Sequence, residues 1–350
     1  MLRLPPFELR QPTTLAEAAD MLASEGPGAR LVAGGTDLWP NMKRRHQQAA
    51  TVISLMRIPG LREIGNGGGD LTLGATLSLH EVATHAAVRA AYPALAAAVE
   101  SISSPPLRHM GTLGGNVCVD TRCTYYNQTE EWRRSIDYCL KEAGEICWVA
   151  PGSKRCLAHT AADSAPILCA LGARVRLASA AGDREIPLTD LYRDDGIEYL
   201  AKRRDEIVTA ILVPASAGAP RCRTAFWKLR RRGTIDFAVL SSSVALWLAP
   251  GGAIEAAEIY LGAVSSRPLR ATAACDFLVG KRPLPDVLRE AAELARKPAT
   301  PFDNTDFQAQ WRGVMVSRYT EAALREAAGL ERQRMAPSHG LAAEPAGRRG

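Results

Sequence analysis

Two kinds of residue in this chain could do chemistry: glycines set to cradle phosphate, and cysteines set to hold metal. The first glycine loop is Gly34-Gly35-Thr36-Asp37, and the second is Gly111-Thr112-Leu113-Gly114-Gly115-Asn116. Glycine lets a backbone come close to a diphosphate, loop N–H groups can converge on its oxygens, and a following helix N-terminus adds partial positive charge. Paired glycines also serve as plain turns, so one loop alone is a weak signal. Neither loop matches G-x-G-x-x-G, which argues against a Rossmann domain. Two such loops in one half of the chain point to one nucleotide held from two sides.

Of the eight cysteines, Cys118, Cys123, Cys139, Cys147 and Cys156 crowd one stretch, whereas Cys169, Cys222 and Cys275 are scattered. The start of the chain lacks the apolar core of an export signal, so a cytoplasmic location is expected. Thiols stay reduced there, and clustering then indicates a metal site rather than disulfides. Cys123, Cys139, Cys147 and Cys156 follow one another at steps of 16, 8 and 9. Four thiolates are the complement of a 4Fe–4S cube. Tetrahedral zinc also takes four, but structural zinc sites usually show close Cys-x-x-Cys pairs, absent here. Spacing favours iron–sulfur, with zinc and inert thiols as the alternatives. Cys118 reads as a packed thiol in a strand and Cys169 as core.

The elements that must position these residues begin as β-α-β-α. Thr14 and Glu17 form a capping-box signature for a helix ended by Gly26. Arg30 to Ala33 then reads as a strand running into the first glycine loop, and a second helix carries Pro40 in its first turn. Thr51–Leu55 and Leu71–Ala75 alternate as strands around a turn at 65–70, and alanine-rich 79–100 reads as helix. In the cysteine stretch a helix is expected to start at Asn127-Gln128-Thr129-Glu130 and end near Gly144. Residues 166–170 read as helix and 173–178 as strand. Beyond Arg221, strands at 224–229 and 256–263 bracket 236–248, and helices follow at 284–296 and 307–328, a separate α+β domain. The Pro, Gly, Ala and Arg rich tail, 333–350, is expected to be disordered.

Composition removes other classes. The 47% hydrophobic and 23% charged residues are ordinary for a globular chain. No run approaches the roughly 20 apolar residues of a membrane span. The net charge of +6 is spread widely and aromatics are 6%, so no basic, aromatic-interleaved face for nucleic acid is expected.

The run Leu31-Val32-Ala33-Gly34-Gly35-Thr36-Asp37-Leu38, followed by Gly114-Gly115-Asn116 and the Asp163-x-x-Pro166 element, resembles the flavoprotein subunits of the xanthine dehydrogenase and carbon monoxide dehydrogenase family. Lys228-x-x-x-Arg232-x-x-x-Asp236-x-Ala238 and Gly262-Ala263-Val264-x-x-x-Pro268-x-Arg270 extend the resemblance in the same order over residues 1–325. It implies an α+β fold: a two-subdomain FAD-binding domain of the PCMH or vanillyl-alcohol-oxidase type (1–60 and 61–215, with a cysteine insertion at 121–158), then a C-terminal α+β domain at 220–328. It carries the FAD pyrophosphate onto Ala33, Gly34, Gly35, Thr36 and Asp37, with Leu38 against the isoalloxazine. Thr112, Gly115 and Asn116 would lie by the pyrophosphate and ribityl chain. Asp163 would bond the adenosine ribose with its two acceptor oxygens, and Lys228 would sit by the flavin, favouring its reduced anionic form. Val208 and Ile102 match positions lining the FAD, although both also suit a plain core.

In typical family members Gly-Gly-Asn and Asp-x-x-Pro are separated by a short segment; here Asn116 and Asp163 are 47 positions apart. The inserted cysteines resemble the 4Fe–4S loop in β subunits of the 4-hydroxybenzoyl-CoA reductases, which carries the ligand role onto Cys123, Cys139, Cys147 and Cys156. That branch implies electrons from reduced ferredoxin, through 4Fe–4S and FAD on this chain, to 2Fe–2S clusters and a molybdenum cofactor on partner subunits. There 4-hydroxybenzoyl-CoA would be dehydroxylated to benzoyl-CoA. The assembly implied is a dimer of three-subunit units, and this chain would hold no catalytic residue of its own. Between Thr121 and Ala158 six basic residues face five acidic ones, too even a balance to steer an acidic donor strongly. The alternatives are a flavin subunit of another molybdenum hydroxylase, acting on an aromatic or N-heterocyclic substrate, and a non-enzymatic zinc-stabilised nucleotide-binding protein.

Overall fold

A computed structural model describes residues 2–67 and 69–331. The tail at 333–350 lies outside the described residues. Three sheets follow one another along the chain. The first is parallel, β1 (Glu8–Arg10), β2 (Ala29–Val32) and β3 (Thr51–Ser54) in the order β1-β3-β2. Parallel strands need crossovers, supplied by α1 (Leu15–Glu25) and α2 (Leu38–Lys43). The expected capping box is present: Glu17 N–H donates to Thr14 Oγ1, and the Glu17 carboxylate accepts from Thr14 N–H. Ala18, Ala19 and Leu22 of α1 are buried with Ile53.

The second sheet is antiparallel, β4 (Ile64–Gly67), β5 (Asp70–Gly74), β6 (Arg174–Ser179), β7 (Gly182–Pro187) and β8 (Ile207–Val213), in the order β4-β5-β8-β6-β7. The hairpin partner of β5 is therefore β4, not the strand at 51–55. Five helices cover this unit: α3 (Leu79–Thr84), α4 (Ala86–Ala91), α5 (Pro93–Glu100), α6 (Pro105–Met110) and α7 (Leu113–Val117). The single helix expected over 79–100 is cut twice. His85 leaves the helical region at ψ 127°, and Pro93 disfavours helical backbone at Tyr92. The second glycine loop is itself the short helix α7, and Cys118 is its C-cap residue rather than part of a strand.

In the cysteine stretch α8 (Glu130–Ser135) starts with the Thr129 side chain accepting from Trp132 N–H and stops at Ile136. Gly144 does not end it: an added Cβ there would lie 2.9 Å from the Asp137 carbonyl oxygen, so the residue serves close packing. The chain then enters α9 (Ser164–Ala170), all seven residues of which are buried.

The third sheet holds β9 (Cys222–Leu229), β10 (Leu240–Leu248), β11 (Ile254–Gly262) and β12 (Leu269–Arg270), in the order β12-β11-β10-β9, antiparallel throughout. Helices α10 (Thr272–Leu278), α11 (Pro285–Arg296) and α12 (Ala309–Ala327) pack on it. Ala165, Ile167 and Leu168 of α9 share a core with Phe226, Ala245 and Tyr260 of this sheet. Each fully buried leucine or isoleucine is worth about 1.5–3 kcal/mol, and α9 thus joins the two halves. Among the described residues no helix is long and apolar enough to cross a membrane.

Candidate functional site

The first glycine loop bends from β2 into α2. Gly35 sits at φ +71°, in the left-handed region, and a Cβ on Gly34 would fall 1.7 Å from the Met110 carbonyl oxygen. Both positions therefore demand glycine. Among the described residues no hydrogen bond takes up the N–H groups of Gly34, Gly35 and Thr36, although all three line a cavity of 290 Å³. The N–H groups of the second loop are used internally instead. Gly115 donates to Thr112 Oγ1, Gly114 to the Ala75 carbonyl and Leu113 to that of Leu77. One loop thus offers donors to a ligand, and the other forms a tightly packed wall.

The structure brings together Ala33, Gly34, Gly35, Thr36, Asp37, Leu38, Ile102, Thr112, Gly115 and Asn116 around this cavity. Val208 lines a neighbouring cavity of 420 Å³, and Ala33, Gly115 and Cys118 border both. The two lie side by side along the glycine loops, and each is of the order of size of a small-ligand site. Asp163 and Lys228 border neither cavity. Lys228 Nζ donates to Asp163 Oδ2 at 2.7 Å and to the Ser101 carbonyl at 3.2 Å, next to Ile102 in the wall. Burial pushes the Asp163 carboxyl up against the opposing pull of Lys228. Ser164 then donates from Oγ and N–H to Asn116 Oδ1, so the Asp-x-x-Pro element braces the second loop.

Several cleft residues carry no sequence signal. Cys118, expected as a packed thiol, borders both cavities. Asp120, Arg122, Tyr199 and Phe237 line the smaller cavity, and Lys202 and Arg204 the larger. Arg122 pairs with Asp37 and lies over the Phe237 ring at 4.4 Å. Its Nε is buried without a hydrogen-bond partner. Burial raises the Asp37 carboxyl, and Arg122 opposes the shift. An orphaned guanidinium N–H, loop N–H donors and a tight glycine cradle together fit a diphosphate-bearing ligand such as FAD.

The sulfurs form a second centre. Cys123, Cys139, Cys147 and Cys156, all buried, line one small cavity with Tyr126, Lys141 and Trp148. Their loops are held by a fully buried Arg133, which pairs with Glu130 and Glu142 at 2.6 Å and donates to the Arg44 and Gln128 carbonyls. Burial raises the Cys123 thiol to about 12 and that of Cys156 to about 11, so these sulfurs ionise only beside compensating positive charge. Among the described residues no group of three or more His, Cys, Asp or Glu is arranged to hold a metal ion.

Residues 5–216 match the model of the FAD binding domain in molybdopterin dehydrogenase, and residues 224–327 that of the CO dehydrogenase flavoprotein C-terminal domain. The carbon monoxide dehydrogenase medium chain of Hydrogenophaga pseudoflava is 26% identical over 323 residues, 92% of this chain and 97% of that one. The aldehyde oxidoreductase FAD-binding subunit of Escherichia coli is 31% identical over 288 residues, 77% of this chain and 84% of its own length. Among solved structures, carbon monoxide dehydrogenase from Hydrogenophaga pseudoflava aligns with a TM-score of 0.76 at 26% identity, covering 93% of this chain and 98% of that chain. Quinoline 2-oxidoreductase from Pseudomonas putida 86 aligns at 0.73, again at 26% identity, with the same coverage.

Proposed function

The chain belongs to the xanthine dehydrogenase and molybdenum hydroxylase family as an FAD-binding subunit, and on that premise we propose that it relays electrons between a 4Fe–4S cluster and FAD for a molybdenum-bearing partner. The observation that carries this reading is the convergence of Cys123, Cys139, Cys147 and Cys156 on one cavity beside the glycine-loop cleft. When bound, FAD takes up one or two electrons and a cubane cluster passes them singly.

The chain's own residues would bind and orient. The N–H groups of Gly34, Gly35 and Thr36 would meet the pyrophosphate, and Leu38 and Ile102 would enclose the flavin ring. Lys228, backed by Asp163 and touching the Ser101 carbonyl, would set positive charge behind that wall. Asp163, buried against Lys228 and outside both cavities, would brace the wall rather than meet the ribose. The four cysteines would supply thiolates, and no residue of this chain would transform substrate. The finer reading takes ferredoxin as donor, 2Fe–2S clusters and a molybdenum cofactor on the partners, a dimer of three-subunit units and 4-hydroxybenzoyl-CoA as the substrate dehydroxylated. It rests on the inserted cysteine loop.

The named activities of the relatives support a second reading, an FAD subunit for another substrate: one is a nicotinate dehydrogenase subunit and another a nicotine 6-hydroxylase subunit. Anaerobic purification of the complex with flavin, iron, sulfide and zinc analysis tests the cofactors. Iron, sulfide and flavin together are expected; zinc without iron defeats the cluster. Turnover of an aromatic CoA thioester, rather than an N-heterocycle, separates the two substrate readings. Cys139→Ser is expected to lose iron and keep FAD.

A further inference from the structure

The wall between the thiol cavity and the glycine-loop cleft contains a buried ion pair. Lys141 Nζ lies 2.6 Å from Asp120 Oδ1, with side chains 5% and 9% exposed. The ammonium is saturated: it also donates to Thr121 Oγ1 at 2.5 Å, the Gly196 carbonyl at 2.8 Å and the Thr121 carbonyl at 3.3 Å. It stands 4.9 Å from the centre of the Tyr126 ring and 5.6 Å from that of Tyr199. Lys141 and Tyr126 line the thiol cavity, whereas Asp120 and Tyr199 line the cleft. The pair therefore spans the partition, cation toward the sulfurs and anion toward the cleft.

Stability alone gives little reason for such a pair, because well-packed apolar residues often match or exceed a buried ion pair. A charge here is poorly screened by salt and acts on both sides of the wall. Building on the cofactor reading above, we propose that the Lys141–Asp120 pair sets the relative electron affinity of the two redox groups it separates. Lys141 favours the added negative charge of a reduced cluster, and Asp120 opposes added negative charge on the flavin. One electron lost by one group is gained by the other, so the pair acts on that exchange without a further reactant. Both residues are positioning residues, acting through their fixed charges.

The signature is opposite signs from two variants. In the cofactor-loaded complex, the reduced fractions of cluster and flavin are followed by EPR and visible spectroscopy at fixed potentials. Lys141→Met is expected to lower the reduced-to-oxidised ratio of the cluster on the order of tenfold. Asp120→Asn, nearly isosteric, should raise that of the flavin by a similar factor, and Lys141→Arg should restore the wild-type cluster ratio. Unchanged ratios, or shifts of both groups in one direction in both variants, overturn the inference while leaving the cofactor reading intact. Wild-type complex with flavin but no iron overturns both. Should Lys141→Met lose its iron, the flavin shift in Asp120→Asn still decides.

Discussion

Lys228 and Asp163 meet at 2.7 Å inside the protein, with side chains 3% and 5% exposed. They join β9 of the third sheet to the start of α9. Asp163→Ala would strand the ammonium, and removing one partner of a buried pair typically costs about 3–5 kcal/mol. Urea unfolding of the apo-protein is expected to show a loss of that order. Lys228→Met placed on Asp163→Ala should recover much of it, whereas additive losses would show the pair to be uncoupled.

Gly34 is the most sterically constrained residue of the cleft. Because its Cβ position is occupied by a backbone carbonyl, Gly34→Ala must displace either α6 or the loop. FAD content of the purified variant is expected to fall at least about tenfold, a loss of roughly 1.4 kcal/mol or more in binding. Circular dichroism should stay close to wild type. Full flavin retention would show that this loop does not hold the cofactor.

The two glycine loops and the first helix cap were legible because their signals are local: a positive φ at Gly35, a Cβ clash at Gly34, and Thr14 with Glu17 three residues apart. β10 was missed for an equally definite reason. Ser241, Ser242 and Ser243 look like loop residues, yet all are buried in the central part of a sheet, and Ser242 Oγ donates to Thr320 Oγ1 at 3.1 Å. β4 was hidden by glycines that read only as a turn. Asp120, Arg122 and Tyr199 reach the cleft by tertiary placement: the first two follow the end of α7, and the third comes from a loop some eighty positions on. No spacing rule could have paired Lys141 with Asp120, since the insertion has to fold back before they meet.

Arg133 organises the insertion. It is fully buried, holds two carboxylates and reaches the Arg44 carbonyl outside the insertion. Arg133→Met leaves Glu130 and Glu142 without their shared partner, a cost of about 3–5 kcal/mol at most, since both are partly exposed. The expected outcome is early proteolytic cleavage within 121–158 and loss of iron, with FAD content unchanged. Loss of FAD as well would mean that the insertion also supports the cleft.

Stability should fall as pH drops below about 6.5. Burial lowers His159 to about 3 and His46 to about 4. His159 Nδ1 bonds the Thr160 carbonyl at 2.9 Å, which suits a neutral ring donating from that nitrogen. A depressed histidine pKa means that the unfolded chain binds a proton which the folded chain refuses. The stabilising contribution is complete above the unfolded value of about 6.5 and is lost as pH falls toward the folded value, at up to about 1.4 kcal/mol per pH unit for each ring. Carboxylates add their own acid dependence, so the informative quantity is the difference between wild type and His159→Gln, which keeps a donor but cannot titrate. Between pH 6.5 and 5 the variant's unfolding free energy should decline less steeply than that of wild type. Parallel curves would show that His159 takes up its proton in the folded state.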